Sequence, residues 1–289
     1  MQSTRFTVAL IFAVAAIACG DLNAALEELS EARRLSADLQ VQFTKAADAA
    51  NRAVMADTDE LSVTFARESS QATQAVQKDI DALGSRLKDL GYSDESRLLQ
   101  EFITRFAEYS ELDRRILDLA VQNTNLKAQR LAFGPAQDAA DTFRDALEAV
   151  APRDSTADKW HVEALVAKAV TAVREIQVLQ APHIADPDDA AMTRMEKRMA
   201  ASEAAARIAL DTLEPLVAPA SRPRLVAATA ALNRFVELNA QIISLSRRNT
   251  NVRSLALSLD QKRKLTASCE ESLRALQDAL AKRRYPTGR

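Results

Sequence analysis

Six polar residues recur as two matched sets: Asn123, Asn125 and Lys127, then Asn249, Asn251 and Arg253, with a threonine between each pair of asparagines. An amide side chain offers both a donor and an acceptor, and a cation two residues on can hold a carboxylate. Each set therefore has the makings of a small polar ligand-binding pocket at the end of a helical element. The same residue types also cap helices and tolerate the left-handed turn conformation, which is their plainer use.

Other chemistry is scarce. His161 and His183 are the only histidines, and Cys19 and Cys269 the only cysteines, too few for a zinc ribbon, an iron–sulfur cluster or a disulfide scaffold. No Gly-rich phosphate loop, HExxH or GxSxG occurs, and no Glu-x-x-His pair of a di-iron bundle. Met192, Met195 and Met199 suit an adaptable core better than a copper site, and Cys269 falls on an apolar stripe. Catalysis, a metal and a cofactor are not expected.

Cys19 carries an address. One positive charge, Arg5, precedes an apolar run from Phe6 to Ala18, the pattern of a secretory signal over residues 1–19. Thirteen helical residues reach about 20 Å, whereas a bilayer core needs about 30 Å, so a permanent span is not expected. Ala16-Ile17-Ala18 fits ordinary signal peptidase, and with Cys19 it also matches, in part, a lipobox whose cysteine becomes a lipid anchor. Both cleavage readings stay open. With no later apolar segment of membrane length, the chain is expected outside the cytoplasm and without a signalling output of its own.

Composition and periodicity point to the elements that must carry these residues. Hydrophobic residues make up 47% and aromatics 4%, with 5 Gly and 8 Pro in 289 residues, which favours long Ala- and Leu-rich helices over short strands and turns. Residues 1–150 carry a net charge of −8 and residues 151–289 one of +6, and the basic runs 262–264 and 282–284 read as solvated helix faces rather than nucleic-acid contacts. The chain repeats at an offset of 126 residues. Ile116 to Asn125 matches Ile242 to Asn251, and Leu99, Leu112, Leu131 and Leu147 find leucines at 225, 238, 257 and 273. Apolar stripes at three- and four-residue spacing give four helices per repeat. The first repeat's stripes run from Leu22, Leu61, Leu99 and Ala128, with Asp57-Thr58-Asp59 as a turn, Gly91 as a helix stop, Ser93 or Asp94 as the next cap, and a kink at Gly134-Pro135. The second repeat's stripes run from Val162, Met192, Leu225 and Val252, the first ending in a loop from Pro182 to Pro187.

If each Asn-Thr-Asn triplet is a turn, the fold is all-α: two tandem antiparallel up-down four-helix bundles over residues 20–152 and 153–289. If the triplets are mid-helix, long continuous helices run through them. The weak helix propensity of Asn and Thr favours the turn.

The blocks Leu112, Ile116 to Ala120, Asn123-Thr124-Asn125, Lys127-Ala128 and Leu131-Ala132-Phe133 resemble the third and fourth helices of the four-helix-bundle sensor domains of methyl-accepting chemotaxis receptors, and Leu238 to Leu280 shows the same pattern. The resemblance implies an extracytoplasmic domain that binds a small ligand or a partner protein. The expected function is thus an exported sensor-like binding protein, lipid-anchored at Cys19, whose partner could be a membrane signalling protein; pairing of two copies is left open. A structural envelope lipoprotein assembling through its helical faces is the competing expectation.

Overall fold

The apolar stripes fold as helices, and the protein is all-α. A computed structural model describes the backbone of residues 4–150 and 159–283, with side chains from Leu26 onward; among these residues there is no strand. In chain order the helices are α1 (Thr4–Met55), α2 (Asp59–Asp89), α3 (Ser93–Ala120), α4 (Thr124–Leu131), α5 (Gln137–Glu148), α6 (Lys159–Ala185), α7 (Asp189–Leu213), α8 (Arg222–Arg248), α9 (Thr250–Leu257) and α10 (Arg263–Lys282). No helix of the described residues is long and apolar enough to cross a membrane. The lipid-attachment expectation at Cys19 concerns a side chain outside the described set.

Local sequence explains several helix ends. Thr58 caps α2, its Oγ1 accepting from Leu61 N at 3.2 Å. At the other end Gly91 takes φ +67°, so that Tyr92 N reaches Leu87 O and Gly91 N reaches Lys88 O, the paired closure that a left-handed residue after a helix permits. Asp188 caps α7 through Ala190 N and Ala191 N.

Three details depart from expectation. The residue capping α3 is Tyr92, without a side-chain bond, and Ser93 is already helical. Helix α6 continues through Pro182 to Ala185 rather than stopping at the proline. The expected kink at Gly134-Pro135 is a π turn, Ala132–Ala136, and the same turn recurs 126 residues on at Ser258–Lys262, where there is no proline. Proline is therefore not its cause. Each π turn adds a residue to the helical repeat and rotates the apolar stripe. Leu255, before the second π turn, and Leu259, within it, are exposed, although the spacing places them on the buried face.

The division of the chain also differs from the tandem one. The first unit comprises Met1–Val121 and Leu255–Arg289; the second comprises Gln122–Ser254. In the first, α1, α2 and α3 pack with α10. In the second, α6, α7 and α8 pack with α4 and α5. Each unit is thus three helices of one repeat closed by the fourth helix of the other. The triplets do interrupt the helices, which removes the continuous-helix alternative, but the helices either side of each triplet do not pair as a hairpin. The boundary expected at 152/153 lies outside the described residues; the chain divides at Val121/Gln122 and at Ser254/Leu255, because α4–α5 packs in the second unit.

The first unit's core is built around aromatic rings. Phe43 on α1 meets Phe102, Phe106 and Tyr109 on α3 at centroid separations of 5.0 to 6.2 Å, and α10 supplies Cys269, Leu273, Leu276 and Leu280. Burial pushes the Cys269 thiol up to about 12, so it stays protonated and inert. The second unit's core uses smaller side chains on α6 and α7, among them Val173, Ile176, Ala206 and Ala209, with Phe143 from α5 and Phe235 from α8. Each buried large side chain contributes roughly 1.5–3 kcal/mol from area removed from water.

The end of α10 is clamped. Arg33 on α1 donates to Leu280 O at 3.0 Å and to Arg283 O at 2.9 Å, satisfying carbonyls that a helix end leaves without partners. Arg283 forms a two-pronged pair with the buried Glu95 carboxylate at 2.6 and 2.7 Å. The Arg283 guanidinium holds the Glu95 carboxyl below its ordinary value, against the opposing effect of burial. A lowered folded-state value means stability that is present above the ordinary carboxylate pKa of 4.5 and is lost as pH falls through the lowered value. Acid unfolding of Glu95→Gln, followed by circular dichroism from pH 7 to 2, is expected to show a shallower pH dependence than the wild type; an unchanged slope would show that the clamp contributes nothing.

Candidate functional site

The two triplets meet. Asn123 and Asn249 both take left-handed backbone, φ 50° and 52°, which asparagine tolerates better than other non-glycine residues. Each then starts a new helix, its carbonyl accepting from Lys127 N or Arg253 N. The first N–H groups of α4 and α9 would be orphans, and each triplet satisfies the other's. Thr124 N donates to Thr250 Oγ1 and Thr250 N to Thr124 Oγ1, both at 3.2 Å. Asn125 N donates to Asn251 Oδ1 and Asn251 N to Asn125 Oδ1, both at 3.1 Å. The amide nitrogens complete a pseudo-twofold set, Asn125 to Asn249 Oδ1 at 2.8 Å and Asn251 to Asn123 Oδ1 at 2.9 Å.

This box also ties down the α6 end. Asn125 Nδ2 donates to Ile184 O at 2.6 Å, and Asn249 Nδ2 to Asp186 O at 2.9 Å. Beside it the buried His183 lies between Ser246 Oγ and Glu196 Oε1, each 2.8 Å from a ring nitrogen. Arg247 holds Glu196 at 2.6 and 2.9 Å and, as the larger cause ahead of His183, keeps its carboxyl below the usual range. Ser246 and His183 are fully buried, so this Ser–His–Glu series is a latch rather than a nucleophile.

The structure therefore brings together all four expected asparagines, and their polar groups face one another. Lys127 Nζ donates to Gln122 O at 2.9 Å, and Arg253 is exposed. None of these six residues lines the grooves described below.

A different part of the molecule holds the better site. In the first unit the Asp113 carboxylate on α3 and the Lys262 ammonium at the end of the π turn are 2.7 Å apart and almost wholly buried. Ser69 Oγ on α2 lies 3.2 Å from Asp113 Oδ2 and 3.0 Å from Ala46 O, and Lys262 Nζ stands 5.7 Å from the Tyr109 ring centroid. Burial raises the Asp113 carboxyl and lowers the Lys262 ammonium, each opposed by the other's charge. Asp113 also belongs to a groove of about 610 Å³ between α2 and α3, together with Arg67, Ser70, Thr73, Ser110 and Arg114. Ser110 Oγ is buried there without a hydrogen-bond partner among the described residues. Arg114 is engaged by Glu111 and Asp118, while Arg67 is exposed. The groove thus combines a buried carboxylate, an unsatisfied hydroxyl and a cation, in a volume typical of small-molecule sites. Among the described residues no group of His, Cys, Asp and Glu could hold a metal ion.

Sequence reading places Lys262 on a solvated face with residues 263 and 264, which its burial against Asp113 corrects, though a signal for the pair exists. Lys262 lies three residues after Leu259 and seven before Cys269 on the apolar stripe, and Asp113 lies four after Tyr109 on another. A charge on each of two buried faces is a pair waiting for a partner, but nothing in the sequence says that α10 faces α3. No family model matches the chain, and no curated protein matches it.

Proposed function

We propose that the protein is an exported, sensor-like binding protein, held to a membrane through lipid on Cys19, whose first unit takes a small polar ligand bearing an anionic group in the α2/α3 groove. The observation that carries this reading is the buried, unpartnered Ser110 hydroxyl on the same groove as Asp113 and Arg67. Arg67 supplies the cation for a carboxylate or similar anion, and Ser110 and Asp113 supply hydrogen-bonding groups that select a polar remainder. The resemblance of the triplet-bearing helices to chemoreceptor sensor domains supports the same role.

Thermal-shift measurements with small carboxylates and amino acids test the ligand. A compound at a hundredfold its dissociation constant stabilises the folded state by about 2.7 kcal/mol, and Arg67→Ala is expected to remove most of that shift. A series in which no compound shifts the wild type, or in which Arg67→Ala responds equally, overturns the assignment. Mass spectrometry of the mature N-terminus tests the address separately: a diacylated Cys19 supports the anchor, and an unmodified one removes it.

A further inference from the structure

The two repeats have four equivalent helices, so two topologies are open to this chain. In one, each repeat closes on its own fourth helix with the triplet as a hairpin turn. In the other, which the structure adopts, the fourth helices are exchanged. We infer that complementary charge and size between the fourth helices and their receiving units select the exchanged topology, with Lys262 at the end of the π turn and Cys269 on α10 fitted to the first unit and Ala136 and Phe143 fitted to the second.

The register makes the comparison direct. Lys262 lies 126 residues after Ala136, and Asp113 lies 126 residues before Asn239. In the first unit Lys262 meets Asp113 at 2.7 Å. At the matching level of the second unit the groups are neutral: Gln180 Nε2 donates to Asn239 Oδ1 at 2.9 Å, and Asn239 Nδ2 lies 3.8 Å from Met199 Sδ. Closing each repeat on itself would leave Lys262 facing Asn239 and Asp113 facing Ala136, two buried charges with no counter-ion. Either arrangement is far costlier than a paired one.

Size gives the same answer independently. Cys269 and Phe143 are equivalent, as are Phe102 and Ala228, and all four are buried. The exchanged topology matches the small Cys269 with the ring-rich first unit and the large Phe143 with the second, where Ala228 leaves room. The self-closed topology would add a ring to the crowded side and leave a void on the other, and both faults destabilise.

The full chain can report which topology forms. Arg105 on α3 lies beside Glu271 on α10, with Nη1 and Oε2 3.9 Å apart. In a Cys19→Ser background, Arg105→Cys with Glu271→Cys should therefore join through a short bifunctional thiol reagent. Ala231→Cys with Glu271→Cys reports the self-closed form, because Ala231 is the α8 equivalent of Arg105. Exchanging the fourth-helix residues (Lys262→Ala, Cys269→Phe, Ala136→Lys, Phe143→Ala) should reduce the 105–271 link at least tenfold, whether the chain recloses or fails to fold. Adding the matching changes in the receiving units (Asp113→Asn, Asn239→Asp, Phe102→Ala, Ala228→Phe) should convert each unit's slot to suit its altered fourth helix and restore the link. An undiminished 105–271 link after the first exchange, or no recovery after the second, overturns the inference.

Discussion

Replacing Lys262 by methionine is expected to destabilise the first unit by about 3–5 kcal/mol, because it leaves the Asp113 carboxylate buried without its counter-ion. Replacing both members, Asp113→Leu with Lys262→Met, should return stability to the wild-type level or raise it by about 1–4 kcal/mol, since the desolvation of two charges is removed together with their attraction. The pH dependence carries a definite sign. Burial raises the Asp113 carboxyl above its ordinary 3.8, so the folded state binds this proton more readily than the unfolded chain, and stability from this group falls as pH rises through the raised value. Removing Lys262 strips away the main opposing influence, so the penalty in Lys262→Met should be smaller at pH 5 than at pH 8. Urea unfolding of the two single variants and the double variant at both pH values measures all of this. A double variant no more stable than the worse single one would show that the charges are not coupled.

Phe43→Ala is expected to cost about 3–5 kcal/mol, the usual range for removing a fully buried ring. Phe43 touches three other rings, and the edge-on contacts to Phe102 and Tyr109 add to the area it buries. Counting back from the helix ends at Met55 and Ala185, the equivalent residue of the second unit is Val173, also buried. Val173→Ala removes two methyl groups and should cost only about 1–2 kcal/mol by the lost transfer energy. Denaturation followed separately for the two variants checks the contrast. Equal losses would mean that the aromatic cluster is not the first unit's main support.

Much of this architecture is written in local pattern. The stripe residues Phe43, Leu83, Phe102, Leu232 and Leu273 are buried as their spacing requires, although Leu61, Leu255 and Leu259 on the same stripes are exposed, and Thr58, Gly91 and Asp188 end or start helices by their own side-chain and backbone preferences. The repeat is visible in sequence and reappears in structure as two left-handed asparagines and two π turns, each pair 126 residues apart. What local pattern does not contain is which fourth helix closes which unit. Both candidates carry the same stripe, and the choice is made by residues such as Lys262 and Phe143 acting on partners more than 80 residues away. The candidate site is hidden for the same reason. Asp113 and Lys262 are separated by 149 residues and become neighbours only through the exchange. The triplets, by contrast, are conspicuous in sequence because they are polar and repeated, and their amides turn out to serve one another.

The two triplets meet in the exchanged fold, their threonine hydroxyls side by side, and this can be tested by one disulfide. Thr124→Cys with Thr250→Cys, in a Cys19→Ser background, places two thiols where the native hydroxyls lie 3.2 Å apart. Mild oxidation of the folded full chain is predicted to give an intramolecular disulfide with a yield independent of protein concentration. Free thiols in a folded protein, or disulfides formed only between molecules, would contradict the paired triplets and return the chain to two separate bundles.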